Sequence, residues 1–296
     1  MNRTIANDIQ NKVKKIKIFT KRLMKSSLAG DYLSAFKGSG LEFEQLREYQ
    51  IGDDIRFIDW NSCAKTDKIM VKQLIEERDR MVILLIDVSK SSLFSSKKEL
   101  KKEMIAQVSA TLAFIANNNK DRVGALFFSD KIEKWIPPGR SNVHIATIIE
   151  SIFSIEPSGS GTNITEALRF LVGLKKRNAV VFMLSDWIND NMDNYSNILK
   201  VASCEYDFVG IRFLDDCEKK LPNVGYLYTK DLETGAILSI DTRGSQSDLN
   251  VELKARLIEQ KKIFAKYRID LLDLNVGRSF VNPMINFFRQ RIRRQI

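Results

Sequence analysis

The chain has 296 residues, enough for one large or two modest domains with a real core, and its 44% apolar and 28% charged residues are those of an ordinary globular protein. Three scattered cysteines (Cys63, Cys204, Cys217) offer no CxxC pair and no disulfide framework, and no apolar run approaches the ~20 residues that span a bilayer, so a reducing, cytoplasmic setting is expected. The net charge of +10 sits at the two ends: residues 1–30 carry eight basic side chains against Asp8, residues 289–296 carry four arginines, and the remainder comes to −1.

In chain order, residues 9–25 place Ile9, Val13, Ile16, Phe19 and Leu23 on one helical face, with lysines on the other. Such a helix can lie on a membrane, but packing on its own domain is the expectation here. Residues 37–80 mix turn signals at Gly38–Gly40 and Gly52–Asp54 with short extended pieces. The 46–60 stretch is dense in charge (Arg47, Glu48, Asp53, Asp54, Arg56, Asp59, beside Trp60) and reads as ion pairs fixing a turn.

From residue 81 the rhythm changes. MVILLID is a short continuous apolar run, as in a strand buried on both faces. Residues 97–119 read as a long amphipathic helix, RVGALFFS as a second buried strand, and IEKWIPP as its hairpin partner across Ser129–Lys131. NVHIATIIESIFSI and ITEALRFLVGLKK are helical, the second with Thr162 or Asn163 as its cap. AVVFMLSD is a strand ending in aspartate, as the first does; FVGIRFL and IDLLDLN are further strands, separated by helices. Residues 221–243 suggest a hairpin turning at ETG, and FVNPMINFFRQRIRR a last helix. Strands alternating with helices mean a mostly parallel sheet with helices on both faces, in which ligands gather at the carboxyl ends of the strands.

That rule draws three distant pieces together. The first strand ends in Asp87, followed by Ser89 and Ser91; a glycine-rich loop carries Thr162; a later strand ends in Asp186. Two carboxylates and three hydroxyls form an all-oxygen set suited to Mg²⁺, Mn²⁺ or Ca²⁺ rather than zinc. Glycine beside Thr162 permits close approach. Two carboxylates only cancel a divalent charge, so a metal there would still attract an acidic group on a partner.

This pattern resembles the metal-ion-dependent adhesion site (MIDAS) of the von Willebrand factor type A (vWA) fold, which reads D-x-S-x-S, then a distant Thr, then a distant Asp. Asp87–Val88–Ser89–Lys90–Ser91, Thr162 in SGTNITEAL and Asp186 in LSDW match it in order. The resemblance implies direct metal contact from Ser89, Ser91 and Thr162, with Asp87 and Asp186 acting mostly through water. The stretch GLEFEQLREYQIGDDIRFIDWNSCAKTDKIMVKQ followed by EERDR resembles the signature of a bacterial domain-of-unknown-function family, DUF fifty-eight, usually encoded beside MoxR-type AAA+ ATPases. DRVGALFFSD, LPNVGYLYTKDLETGAILSIDT and the basic last helix fit it too, so the likeness runs from about residue 20 to the end. Ser92 departs from it, many members having methionine there, without removing a ligand.

The expected architecture is thus a Rossmann-like α/β vWA domain over 80–296 with a β-hairpin insertion near 221–243. Residues 1–79 form an amino-terminal extension of basic helix and family signature. The expected function is metal-dependent protein–protein interaction. The partner would offer an acidic residue, and family likeness makes it part of a MoxR-like AAA+ system acting in assembly or maturation of other proteins. A metal-independent scaffold, whose basic ends bind an acidic protein or the inner membrane face, is the alternative.

A Mg²⁺-dependent phosphohydrolase fits poorly. Phosphatases of the haloacid dehalogenase type need an aspartate where Ser89 stands, and receiver domains need an acidic pair upstream, where this chain is apolar. There is no P-loop, and His144, the single histidine, cannot build a usual triad or zinc site alone. The cysteines read as core residues. No aromatic-interleaved basic platform suggests nucleic acid.

Overall fold

The structure is a computed structural model, and it describes residues 2–23, 28–36, 41–66, 68–76, 80–93, 100–157, 159, 161–176, 179–187, 192–220, 225–230, 237–241 and 246–295. It divides into two compact units, residues 37–79 and the rest. The chain opens with α1 (Asn2–Leu23) and α2 (Leu28–Ala35). These helices group with residues 80–296 and not with the family-signature stretch, unlike the 1–79 extension expected from sequence. The reason is burial: Val13, Ile16, Leu28, Tyr32 and Phe36 are part of the main apolar core. Phe19, expected on the buried face of α1, is 38% exposed and rests its edge on Phe280, 5.9 Å between centroids.

The smaller unit pairs β1 (Leu41–Glu48) antiparallel with β2 (Met70–Glu76), with α3 (Trp60–Thr66) between them. Its charged stretch is held by ion pairs, as expected. Arg47 grips Asp53 through two 2.7 Å bonds, Asp53 also accepts from the Gln50 N–H, and Gly52 supplies the positive φ (108°) of the turn between them. Asp59 accepts from the N–H groups of Asn61 and Ser62 and so caps α3.

The larger unit continues with β3 (Met81–Asp87), α4 (Lys101–Asn118), β4 (Arg122–Phe128), β5 (Ile132–Gly139), α5 (Asn142–Ser154), α6 (Ile164–Gly173), β6 (Ala179–Ser185), α7 (Met192–Glu205), β7 (Asp207–Leu214) and α8 (Asp216–Lys219). Then come β8 (Tyr226–Lys230), β9 (Ile237–Asp241), α9 (Gln246–Lys266), β10 (Asp270–Asn275) and α10 (Val281–Gln295). Six strands form one sheet in the order β10-β7-β6-β3-β4-β5. All its neighbours are parallel except β4 and β5. The separate pair β8–β9 is antiparallel, at the place of the expected hairpin; the ETG turn lies outside the described residues.

Each central strand alternates its side chains between two cores. Val82, Leu84 and Ile86 face one side with α1, α2, α4, α5 and α10; Ile83 and Leu85 face the other with α6, α7 and α9. This is why β3 and β6 read as unbroken apolar runs. Burying each such side chain is worth roughly 1.5–3 kcal/mol, which fixes the strand register that sets the site. Helix α4 is sandwiched rather than amphipathic: Met104–Ala106, Val108 and Ala110–Ala116 are all buried. The arrangement is the expected Rossmann-like α/β fold, a mostly parallel sheet with helices on both faces.

Candidate functional site

Counted in chain order within the sheet, the strands read 3-2-1-4-5-6 from β5 to β10, so the order reverses between β3 and β6. Ligands of open α/β sheets bind at the carboxyl ends of the strands at such a reversal. Asp87 closes β3 there and Asp186 follows β6 directly. Ile86 is level with Leu184, so Asp87 comes level with Ser185, and Asp186 stands one residue beyond.

Asp87 is almost wholly buried. Its Oδ1 accepts the Ser89 N–H at 2.9 Å and its Oδ2 accepts the Ser185 hydroxyl at 2.6 Å. The Ser185 oxygen in turn accepts the Trp187 N–H at 3.0 Å. Ser89 and Ser91 hold their hydroxyl oxygens 2.9 Å apart, the 3-10 turn over Lys90–Leu93 bringing the second back toward the first. Burial, with Asp186 nearby, pushes the Asp87 carboxyl up to about 6, although the hydrogen bonds from Ser185 and Ser89 pull the other way. Two carboxylates are thus confined at one buried strand end.

Asp186 leads into Trp187, a fully buried side chain with positive φ (58°). Its carbonyl accepts from Gln260 and its ring meets Phe264 edge-on at 4.8 Å, which pins the end of β6 against α9.

Thr162 is half-buried on the loop before α6. That loop is tied to the end of β4: the Asn163 N–H donates to the Ser129 carbonyl at 2.7 Å, one residue past Phe128, which pairs with Asp87. Gly159 lies so close to Asp130 that an added Cβ would fall 1.6 Å from its carboxylate oxygen. Asn163, not Thr162, caps α6 by accepting the Glu166 N–H. The structure therefore brings Asp87, Ser89 and Ser91 together, sets Asp186 near Asp87 at the neighbouring strand end, and places Thr162 on an adjoining loop at the same end of the sheet.

Three neighbours escaped the sequence reading. Ser185 could have been found from its place beside Asp186 on the strand. Lys101 opens α4 and is 1% exposed; its ammonium lies 3.1 Å from Asp186 Oδ2 and also pairs with Glu218. In the run KKELKKEM it looks like a surface lysine, and no local signal marks it. Glu218 follows the third strand end, β7, and belongs to the capping box of α8, where it accepts the Asp215 N–H at 2.8 Å. Burial would depress the Lys101 ammonium, but Asp186 and Glu218 outweigh it and raise its pKa. Burial raises that of Glu218, with Lys101 opposing.

Other candidates fall away from the site. The His144 ring shares a 2.7 Å hydrogen bond with the Val123 carbonyl, near the start of β4 and the opposite end of the sheet, so Ser89 and Ser91 have no imidazole beside them. The cysteines are not core residues as expected: Cys204 is exposed on α7, and Cys63 and Cys217 are half-buried. Three of the four carboxyl-terminal arginines are engaged in ion pairs, Arg289 with Asp31, Arg291 with Asp207 and Asp270, and Arg294 with Asp270. Among the described residues no helix is long and apolar enough to cross a membrane, and no group of three His, Cys, Asp or Glu forms a metal cluster. The set at the ends of β3 and β6 has two carboxylates, completed by hydroxyls.

The family model for "Protein of unknown function DUF58" matches residues 45–262, more than half of the chain. The chain belongs to the DUF58 family. This DUF58 chain is similar to "Uncharacterized protein Mb1516" of Mycobacterium bovis, 25% identical over 282 residues, covering 94% of this chain and 88% of that one. Among solved structures it is similar to the conserved hypothetical protein BatB from Bacteroides thetaiotaomicron, at 14% identity and a TM-score of 0.47, covering 72% of this chain and 99% of that one. It is also similar to the SpRpn10 VWA domain, at 10% identity and a TM-score of 0.42, covering 70% and 94%. Likenesses of this size carry nothing about function to the DUF58 chain.

Proposed function

We propose that this DUF58 protein is a metal-dependent protein–protein interaction module. Asp87, Ser89, Ser91, Thr162 and Asp186 would hold one divalent cation, Mg²⁺ or else Mn²⁺ or Ca²⁺. The carrying observation is that Asp87 and Asp186 are confined, almost wholly buried, beside the paired hydroxyls of Ser89 and Ser91 where the strand order reverses. Buried carboxylates in excess of cations call for a counter-charge, and an all-oxygen donor set suits a hard ion.

The serine and threonine hydroxyls would touch the cation, and the two aspartates would supply charge mostly through water. A bound divalent ion offers an open coordination position to a carboxylate from outside. Ser185 and the Ser89 N–H hold the Asp87 carboxylate in place. The partner we propose, on the resemblance of the signature stretch, is a MoxR-type AAA+ ATPase system, and the work chaperone-like assembly or maturation of other proteins. A metal-independent scaffold, using the basic residues of both ends, has less support at the tail, where Arg289, Arg291 and Arg294 are already paired with Asp31, Asp207 and Asp270. A phosphohydrolase has no general acid two residues beyond Asp87, where Ser89 stands.

The test is retention of a purified MoxR-type ATPase from the same genome on the immobilised chain. Retention in millimolar Mg²⁺ that is lost with chelator and with Ser89→Ala supports the reading. Retention indifferent to both overturns it. Turnover of a generic phosphate ester should stay at background.

A further inference from the structure

The place of Lys101 is costly on every local count. It opens α4, where the partial positive charge of the helix end disfavours a cation, and the residue before it, Leu100, gives no side-chain cap. It is buried to 1% exposure, where an ammonium needs compensation. That compensation comes from two carboxylates on two other elements: Asp186, past the end of β6, at 3.1 Å, and Glu218 of α8. Glu218 is itself fixed, since its other oxygen accepts the Asp215 N–H.

Lys101 pairs with Asp186 and Glu218, and Asp186 in turn lies near Asp87. Among themselves these three carboxylates and one ammonium leave two negative charges, the charge that one divalent cation cancels. Without the lysine the group would hold three, and the loaded site would stay negative and repel an acidic visitor. Without Glu218 it would hold one. We infer that Lys101, positioned by Glu218, is a tethered counter-charge that loosens the grip of the site on divalent cations and keeps the loaded site receptive to a carboxylate, an inference that rests on the metal reading above.

The test is calorimetric titration of the full chain with Mn²⁺ alone, at fixed pH and ionic strength, on a charge cycle. Lys101→Met should tighten the Kd at least tenfold. Glu218→Gln keeps the capping geometry and should weaken it at least tenfold. The double variant, which restores the net charge, should return to within about threefold of the starting value, which a merely structural role for either residue would not produce. Binding that Asp87→Ala abolishes but Lys101→Met leaves unchanged or weakens overturns this inference alone. Titration indifferent to Asp87→Ala overturns the metal reading and this inference with it. Should Lys101→Met fail to fold by circular dichroism, Glu218→Gln decides: tightened or unchanged Mn²⁺ binding overturns the tethered counter-charge.

Discussion

Two charged clusters flank the same sheet and are built on opposite principles. At the β10 edge, Arg291 and Arg294 of α10 meet Asp207 and Asp270, two cations to two anions, and the Arg291 guanidinium also lies over the Phe36 ring at 4.5 Å. At the carboxyl ends of β3 and β6, Asp186 and Glu218 share the Lys101 ammonium, and Asp87 beside Asp186 is pushed up to about 6 by burial and that neighbouring carboxylate. The first cluster is complete in itself and joins α10 to the strands. In the second, among the described residues, the three carboxylates Asp87, Asp186 and Glu218 outnumber the one ammonium in a mostly buried place.

Five substitutions sharpen that contrast. Arg291→Ala should cost the most, about 3 kcal/mol by urea unfolding, because it strands Asp207, leaves Asp270 to Arg294 alone and uncovers Phe36. A loss below about 1 kcal/mol would mean that the edge cluster is a surface ornament.

Asp121 comes next, a buried carboxyl raised to about 6 by burial, with Arg80 and Arg140 only partly opposing. Its folded pKa lies above its unfolded one, so its ionisation penalises the fold. Stability from this group is full below about pH 4, falls as pH rises through about 6, and stays lost above. Asp121→Asn should therefore gain about 2 kcal/mol relative to the unaltered chain between pH 4.5 and pH 7.5. Parallel pH profiles for the two would contradict it.

Asn163→Ala should lose about 1 kcal/mol through the cap of α6, while Thr162→Ala should leave stability within about 0.5 kcal/mol and weaken divalent binding instead. The reverse pattern would make Thr162 the structural residue. A small effect is also expected in chelator: Asp87→Asn removes a crowded charge and keeps the side-chain shape, so stability should change by less than about 1 kcal/mol in either direction. A loss beyond about 2 kcal/mol would place Asp87 with the self-sufficient cluster.

The sheet was legible because β3, β4 and β6 are apolar runs too short for helices and too unbroken for half-exposed strands. The D-x-S-x-S segment was legible because its residues are neighbours in sequence, and Asp186 because it repeats the strand-end pattern of Asp87. Lys101 and Glu218 were not, because a lysine in a lysine-rich helix and a glutamate in an acidic cap acquire meaning only when α4 and α8 meet beside β6. The union of α1 and α2 with the sheet was equally hidden: Tyr32, Phe36 and Phe288 form an aromatic cluster, with centroids 5.0–5.6 Å apart, from residues some 250 positions distant in sequence. Long-range packing of that kind leaves no local periodic trace.

The most direct measurement is calorimetric titration of the full-length chain with Mn²⁺, set beside Asp87→Ala under the same conditions. A metal held by these residues requires a single saturable site whose affinity falls at least a hundredfold in the variant while the circular dichroism spectrum is unchanged. Saturation with the same affinity in both proteins, or no binding by the unaltered chain at millimolar Mn²⁺, would contradict it.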